Sequence, residues 1–192
     1  MNFETYKNER WTDYAALAET IAGILEVAVQ ADHTLRLQHI QHRAKGMASL
    51  RKKLEKSNAV EGDHIEITVK DLAGCRLVFY TNSDVSIFLN SGIMRNNFDV
   101  DWDRTKIHHP DADTNNASEL FISNNYVVKL TEERTALPEY ARFQDMWCEV
   151  QVQTTLNHAW AEMAHDTIYK KPELNGFGGN LMKSIEKRME KI

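Results

Sequence analysis

The stretch Met146-Trp-Cys-Glu-Val-Gln-Val-Gln-Thr-Thr-Leu-Asn-His-Ala-Trp-Ala-Glu-Met-Ala-His-Asp166 constrains the fold more than any other part of this chain. Its first half alternates with a period of two and its second half recurs with the period of a helix. A strand over 146–153 feeding a helix over 155–168 is predicted. Alternation places Glu149, Gln151 and Gln153 on one strand face and Val150 and Val152 on the other. His158, Glu162, His165 and Tyr169 fall at i, i+4, i+7 and i+11, one face of the helix. Acid chemistry is thus set on a rigid strand with a polar helix face behind it, the layout of an enzyme site rather than of a plain core.

The rest of the chain supplies a framework for that unit. Residues 4–31 read as a helix, with Ala15, Leu17, Ile21, Ile24, Leu25 and Val29 as its apolar face. Strands are predicted over 35–43, 74–81, 98–107 and 119–130, the last two paired, and helices over 47–57, 84–93 and 180–192. A polar loop, His109–Ser118, joins the middle strands. About five strands interleaved with helices argue for an α/β or α+β fold with a mixed sheet. The expected organisation is an N-terminal helical segment (1–34), a central domain (35–172) and a C-terminal helix (173–192). The chain stops inside that amphipathic helix without a capping signal. A longer native protein, or a homo-oligomer built through the helix, is therefore expected.

Composition narrows the function classes. With 42% apolar and 27% charged residues among 192, the chain reads as one soluble globular domain or two small ones. A net charge of −5 gives no global signal for nucleic acid. Charge is uneven, however: Arg36 to Lys56 holds seven Lys/Arg against one acid, Glu55. Such a block in an acidic protein suits either a phosphate-bearing ligand or a solvated helix face. Cys75 and Cys148 both fall inside predicted strands and are expected to be buried thiols rather than a disulfide or a nucleophile. With no secretory leader and no run long enough to span a bilayer, a cytoplasmic protein is expected.

Three motifs carry chemistry. In Arg43-Ala-Lys45-Gly46-Met-Ala-Ser49-Leu-Arg-Lys-Lys53, a strand leads through a glycine into a helix. Backbone amides at the helix start, the Ser49 hydroxyl and two lysines can take phosphate oxygens there. The Gly-x-x-x-x-Gly-Lys pattern of a P-loop is absent. In Asp71-Leu-Ala-Gly74-Cys-Arg76, a carboxylate precedes what reads as a glycine turn into a buried strand. Glu149-Val-Gln151-Val-Gln153 is the third. Asp71 and Glu149 together could share one Mg²⁺, which needs only one or two carboxylates plus substrate phosphates. Each motif also has a plain structural reading: a solvated helix, a capped turn, a solvent-facing sheet.

In this order, and with Asp84-Val85 and the Trp160…His165…Tyr169-Lys170 ending, the motifs make residues 35–172 resemble the synthetase domain of the RelA/SpoT family, the (p)ppGpp synthetases or GTP pyrophosphokinases. The resemblance implies a nucleotidyltransferase-like mixed five-stranded sheet flanked by helices. It implies transfer of the β,γ-pyrophosphate of ATP to a ribose 3′-hydroxyl of GDP or GTP. By resemblance, Arg43, Lys45, Ser49, Lys53 and Arg76 bind ATP, and Asp71 and Glu149 bind Mg²⁺, with Glu149 acting on the attacking hydroxyl. Phe121, Ser123, Asn125 and Gln151 contact the acceptor. Three positions differ from the family pattern: Phe121 stands where a stacking Tyr is usual, Asn125 where a His is usual, and Gln153 where an Arg is usual. Relatives that pyrophosphorylate the 3′ end of tRNA or make adenosine alarmones, some of them toxins with an antitoxin partner, are therefore alternatives. So are an HD-type metal phosphohydrolase, suggested by His165-Asp166, and a nucleotide-binding module without turnover.

Overall fold

A computed structural model describes residues 1–57, 64–107 and 124–164, the last five of these by backbone alone. Phe121, Ser123, His165, Asp166, Tyr169, the 109–118 loop and the 180–192 helix lie outside the described residues.

The predicted N-terminal helix is a nearly continuous rod. Helix α1 (Phe3–Thr5) passes through a π-type turn at Tyr6–Arg10 into α2 (Trp11–Gln30). Tyr14, Leu17, Ala18, Ile21, Ala22, Leu25 and Val29 are buried at spacings of one, three and four, one stripe facing the sheet. Strand β1 (Leu37–Ala44) follows, then α3 (Met47–Lys56), α4 (Ile65–Thr68) and β2 (Ala73–Phe79). Helix α5 (Asn82–Asn90) opens on a capping box: the Asp84 amide donates to the Thr81 hydroxyl at 3.2 Å, and the Thr81 amide donates to the Asp84 carboxylate at 3.0 Å. Arg36 clamps the same carboxylate at 2.9 Å. The Asp84-Val85 mark is thus the start signal of a helix. Then come α6 (Ile93–Asn97), β3 (Phe98–Val100), β4 (Asn124–Leu130), α7 (Glu132–Thr135), a 3-10 turn at Ala141–Phe143, β5 (Cys148–Thr154) and α8 (Thr155–Ala164).

The five strands form one sheet in the order β1-β2-β5-β4-β3. Strands β2 and β5 pair in parallel at its centre, and the other three pairs are antiparallel, so the sheet is mixed as expected. One face is core. Ala73, Cys75, Leu77 and Phe79 of β2 and Cys148, Val150 and Val152 of β5 pack with the α2 stripe into one continuous apolar cluster. The opposite face carries Arg43, Gly74, Arg76, Glu149, Gln151 and Asn125 in register. Both cysteines are buried and free, and burial pushes the Cys75 thiol up to about 12. Among the described residues no helix is long and apolar enough to cross a membrane.

Two local expectations are corrected. Strand β3 ends at Val100 instead of running to 107, because Asp101 makes a turn of its own. The Asp101 carboxylate accepts from the Arg104 amide at 2.9 Å and its carbonyl accepts from the Thr105 amide at 3.0 Å. Gly74 is no turn residue either. It is the second residue of β2, opposite Glu149, and the turn lies at Asp71 and Leu72.

Candidate active site

The polar face of the sheet forms the floor of a cleft of about 520 Å³. Arg43, Lys45, Ser49, Asp71, Arg76, Glu149 and Gln151 all line it. Three distant sequence motifs therefore converge. The β1–α3 junction brings the basic block, with Gly46 at the helix N-terminus and the Leu50 amide donating to its carbonyl at 2.9 Å. The entry to β2 brings Asp71, and β5 brings Glu149. Gly74 pairs with Glu149, so no β2 side chain stands beside that carboxylate.

The two acids have opposite surroundings. Asp71 lies between two cations: Lys45 Nζ makes a short ion pair with one carboxylate oxygen, and Lys53 Nζ donates to the other at 2.8 Å. Burial alone would raise its pKa. The hydrogen bonds and charges of the two lysines outweigh that, and the Asp71 carboxyl is held below its ordinary value. Glu149 moves the other way. Burial raises its pKa first and the Asp71 charge raises it further, against smaller lowering by Gln151, Lys53 and Lys45. One carboxylate is thus kept ionised while its neighbour is made more basic, an arrangement typical of acid and base partners.

A hydrogen-bonded chain sets the position of Glu149. Gln151 Nε2 donates to its Oε2 at 3.0 Å, and Arg76 Nε donates to Gln151 Oε1 at 3.1 Å. An arginine can only donate, so Arg76 fixes which end of the Gln151 amide faces Glu149. Arg76 Nη1 and Gln153 Nε2 both reach His158 Nδ1, at 3.1 and 3.3 Å. Gln153 is only 4% exposed and holds α8 to the sheet. Asn125 stands opposite Gln151 on β4, in the same row.

The donor set fits Mg²⁺. Two carboxylates share a cleft open enough for phosphates, and this ion takes one or two carboxylates plus phosphate oxygens and water. Among the described residues no group of three or more His, Cys, Asp or Glu is placed to hold a metal, and His165-Asp166, which suggested a metal phosphohydrolase, lies outside them.

Residues 42–173 match the family model of the region found in RelA/SpoT proteins. The chain belongs to the RelA/SpoT family, a family of enzymes. Its fold is that of small alarmone synthetase 1 from Bacillus subtilis bound to AMPCPP, at a TM-score of 0.67 and 19% identity over 97% of this chain and 89% of that one. Small alarmone synthetase 2 from the same organism matches at 0.63 and 18% over 96% of both chains. A GTP pyrophosphokinase family protein from Streptococcus pneumoniae matches at 0.63 and 17%, over 96% of this chain and 86% of that one. No curated protein matches it in sequence.

One contributor to this candidate site carries no sequence signal. The Tyr6 hydroxyl, fully buried, lies 2.9 Å from the Lys45 carbonyl and 3.2 Å from the Leu72 carbonyl. The Lys45 amide also donates to the Leu72 carbonyl at 2.9 Å. Tyr6 therefore pins together the two backbone segments that present Lys45 and Asp71. Gln41 and His42, on β1, and His158, on α8, also line the cleft.

Proposed function

We propose that the chain is an ATP-dependent pyrophosphotransferase that moves the β,γ-pyrophosphate of ATP to the ribose 3′-hydroxyl of GDP or GTP. The observation that carries this reading is the pair Asp71 and Glu149 in one cleft, the first held ionised by Lys45 and Lys53, the second made more basic by burial and by its neighbour. In the reaction the 3′-oxygen forms a bond to the β-phosphorus, the bond from that phosphorus to the α,β-bridging oxygen breaks, and AMP leaves. Such a transfer asks the protein for in-line positioning and for cations on the spreading charge.

The residues divide accordingly. Arg43, Lys45, Ser49, Lys53 and Arg76 receive ATP, with the lysines passing from Asp71 to phosphate oxygens as the nucleotide enters. Glu149 orients the 3′-hydroxyl and takes its proton. Gln151 and Asn125 face the acceptor, and the resemblance alone assigns Phe121 and Ser123 to it. Mg²⁺ bound by Asp71 and Glu149 would supply charge neutralisation on the phosphates. Solved relatives bound to AMPCPP and to pppGpp support a site for an adenine nucleotide and a guanosine acceptor.

The neutral Asn125, where the family pattern has a His, favours one second reading, in which the acceptor is the 3′ end of tRNA or an adenosine nucleotide. Incubation with γ-labelled ATP and a panel of GDP, GTP, ADP, ATP and tRNA separates the two. Label is expected on GDP or GTP. Label on tRNA or an adenosine nucleotide alone overturns the guanosine acceptor, and label on none overturns the transfer.

A further inference from the structure

The row that holds Gln151 extends one residue past the named strands. Arg76, Gln151 and Asn125 stand side by side on β2, β5 and β4. Beyond Asn125, Lys106 forms an isolated antiparallel bridge: each of the two residues donates its amide to the other's carbonyl at 2.8 Å. Directly opposed residues of such a pair present their side chains on the same face. The Lys106 side chain therefore belongs to the cleft face, two strand spacings or roughly 10 Å from Gln151.

The chain is held in place to make this bridge. It leaves the sheet after Val100, turns through Asp101–Arg104 and returns. On the way the Asp101 amide donates to the Val127 carbonyl at 2.9 Å, and the Val127 amide donates to the Thr105 hydroxyl at 3.1 Å. The neighbouring cations are engaged. Arg104 pairs with Asp101 at 2.6 Å, and Lys129 pairs with Asp145 at 3.0 Å. Lys106 is exposed, and among the described residues no hydrogen bond or ion pair engages its ammonium.

On the side of the row away from Asp71, Gln151 and Asn125 can orient a nucleotide but carry no charge. A nucleoside 5′-di- or triphosphate whose 3′-hydroxyl sits at Glu149 extends away from that carboxylate and needs a cation at its far end. A lysine on a flexible stem serves a mobile polyphosphate without requiring fixed bidentate geometry. We propose that Lys106 is the specificity residue that receives the 5′-phosphates of the acceptor, so that a free nucleoside polyphosphate is selected over an unphosphorylated nucleoside. This rests on the reading of the Gln151–Asn125 side as the acceptor side.

The test measures transfer from ATP to GTP and to guanosine by the whole chain, in wild type, Lys106→Ala and Lys106→Arg. The Ala variant should raise the KM for GTP roughly tenfold or more. The KM for guanosine, the KM for ATP and kcat should stay within about twofold, because the residue touches none of those groups. The Arg variant should recover most of the loss. An unchanged KM for GTP in an Ala variant that still transfers overturns the assignment, as does an equal rise for GTP and guanosine. Should wild type transfer to no acceptor, the transferase reading fails separately. Calorimetric titration with GTP and guanosine then decides Lys106: a loss confined to GTP supports it, and equal affinities in wild type and variant overturn it.

Discussion

Glu149 and Asp71 make the site costly as well as useful. The raised pKa of Glu149 means that the folded chain binds more protons than the unfolded one between the ordinary and the raised value. Stability contributed by the protonated form is therefore lost as pH rises through that window, and the ionised form is a burden above it. Asp71 has the opposite sign: its contribution is present above the ordinary carboxylate value and lost as pH falls through its lowered one. In protein free of metal and nucleotide, Glu149→Gln is expected to raise Tm by roughly 2–4 °C at about pH 8. The gain should shrink toward pH of about 4, where both proteins are neutral at this position. Thermal denaturation across that range checks it, and a lower Tm for the variant at the higher pH would refute the assignment of Glu149 as a strained carboxylate. The lysines give a second expectation. Lys45 and Lys53 occupy the Asp71 oxygens that a metal would use. Lys53→Ala should thus tighten Mn²⁺ binding to the nucleotide-free protein severalfold, read by electron paramagnetic resonance. An unchanged or weaker affinity would show that the ion pair does not compete with the metal.

At the scale of elements, the sequence was informative where local chemistry and strand pairing agree. The period-two pattern of Glu149, Gln151 and Gln153 specified a polar strand face, and that face lines the cleft, although Gln153 itself turns under α8. The Lys45–Gly46–Ser49 junction was legible because a glycine before a basic amphipathic run marks a helix start. Gly74 was not, because a glycine ahead of an apolar run looks the same whether it makes a turn or a strand residue opposite Glu149. Asp101 ended β3 early through a side chain that competes with the ladder, which alternation alone does not reveal. Tyr6 is the clearest case of information held only in three dimensions, since its hydroxyl meets carbonyls 39 and 66 residues away. Removing that hydroxyl in Tyr6→Phe leaves the ring packing intact. It should cost about 1 kcal/mol of stability in urea titration. It should also lower kcat more than it raises the KM for ATP, because Asp71 and Lys45 lose their common anchor. A stability loss with unaltered kinetics would make the contact purely structural.

Over the whole molecule, one sheet does two jobs on its two faces. The apolar face, sealed by the α2 stripe, makes a rigid platform, and the polar face arrays cations, carboxylates and amides across four of the five strands. The N-terminal helix shares the same core and also sends Tyr6 to the back of the site, so folding and site geometry are coupled. On this RelA/SpoT fold the polar face carries the row Arg76, Gln151 and Asn125, with Lys106 at its end. The central claim is that the group transferred is a pyrophosphate and that Glu149 drives its transfer. It is tested most directly by following ATP labelled separately at the β- and γ-phosphates, in wild type and Glu149→Gln, with GTP as acceptor. Both labels should reach the acceptor in equal amounts with AMP as the co-product, and Glu149→Gln should be slower by roughly 10²–10⁴-fold while still binding an ATP analogue. Transfer of the γ-label alone with ADP released, or an undiminished rate in the variant, would contradict the account.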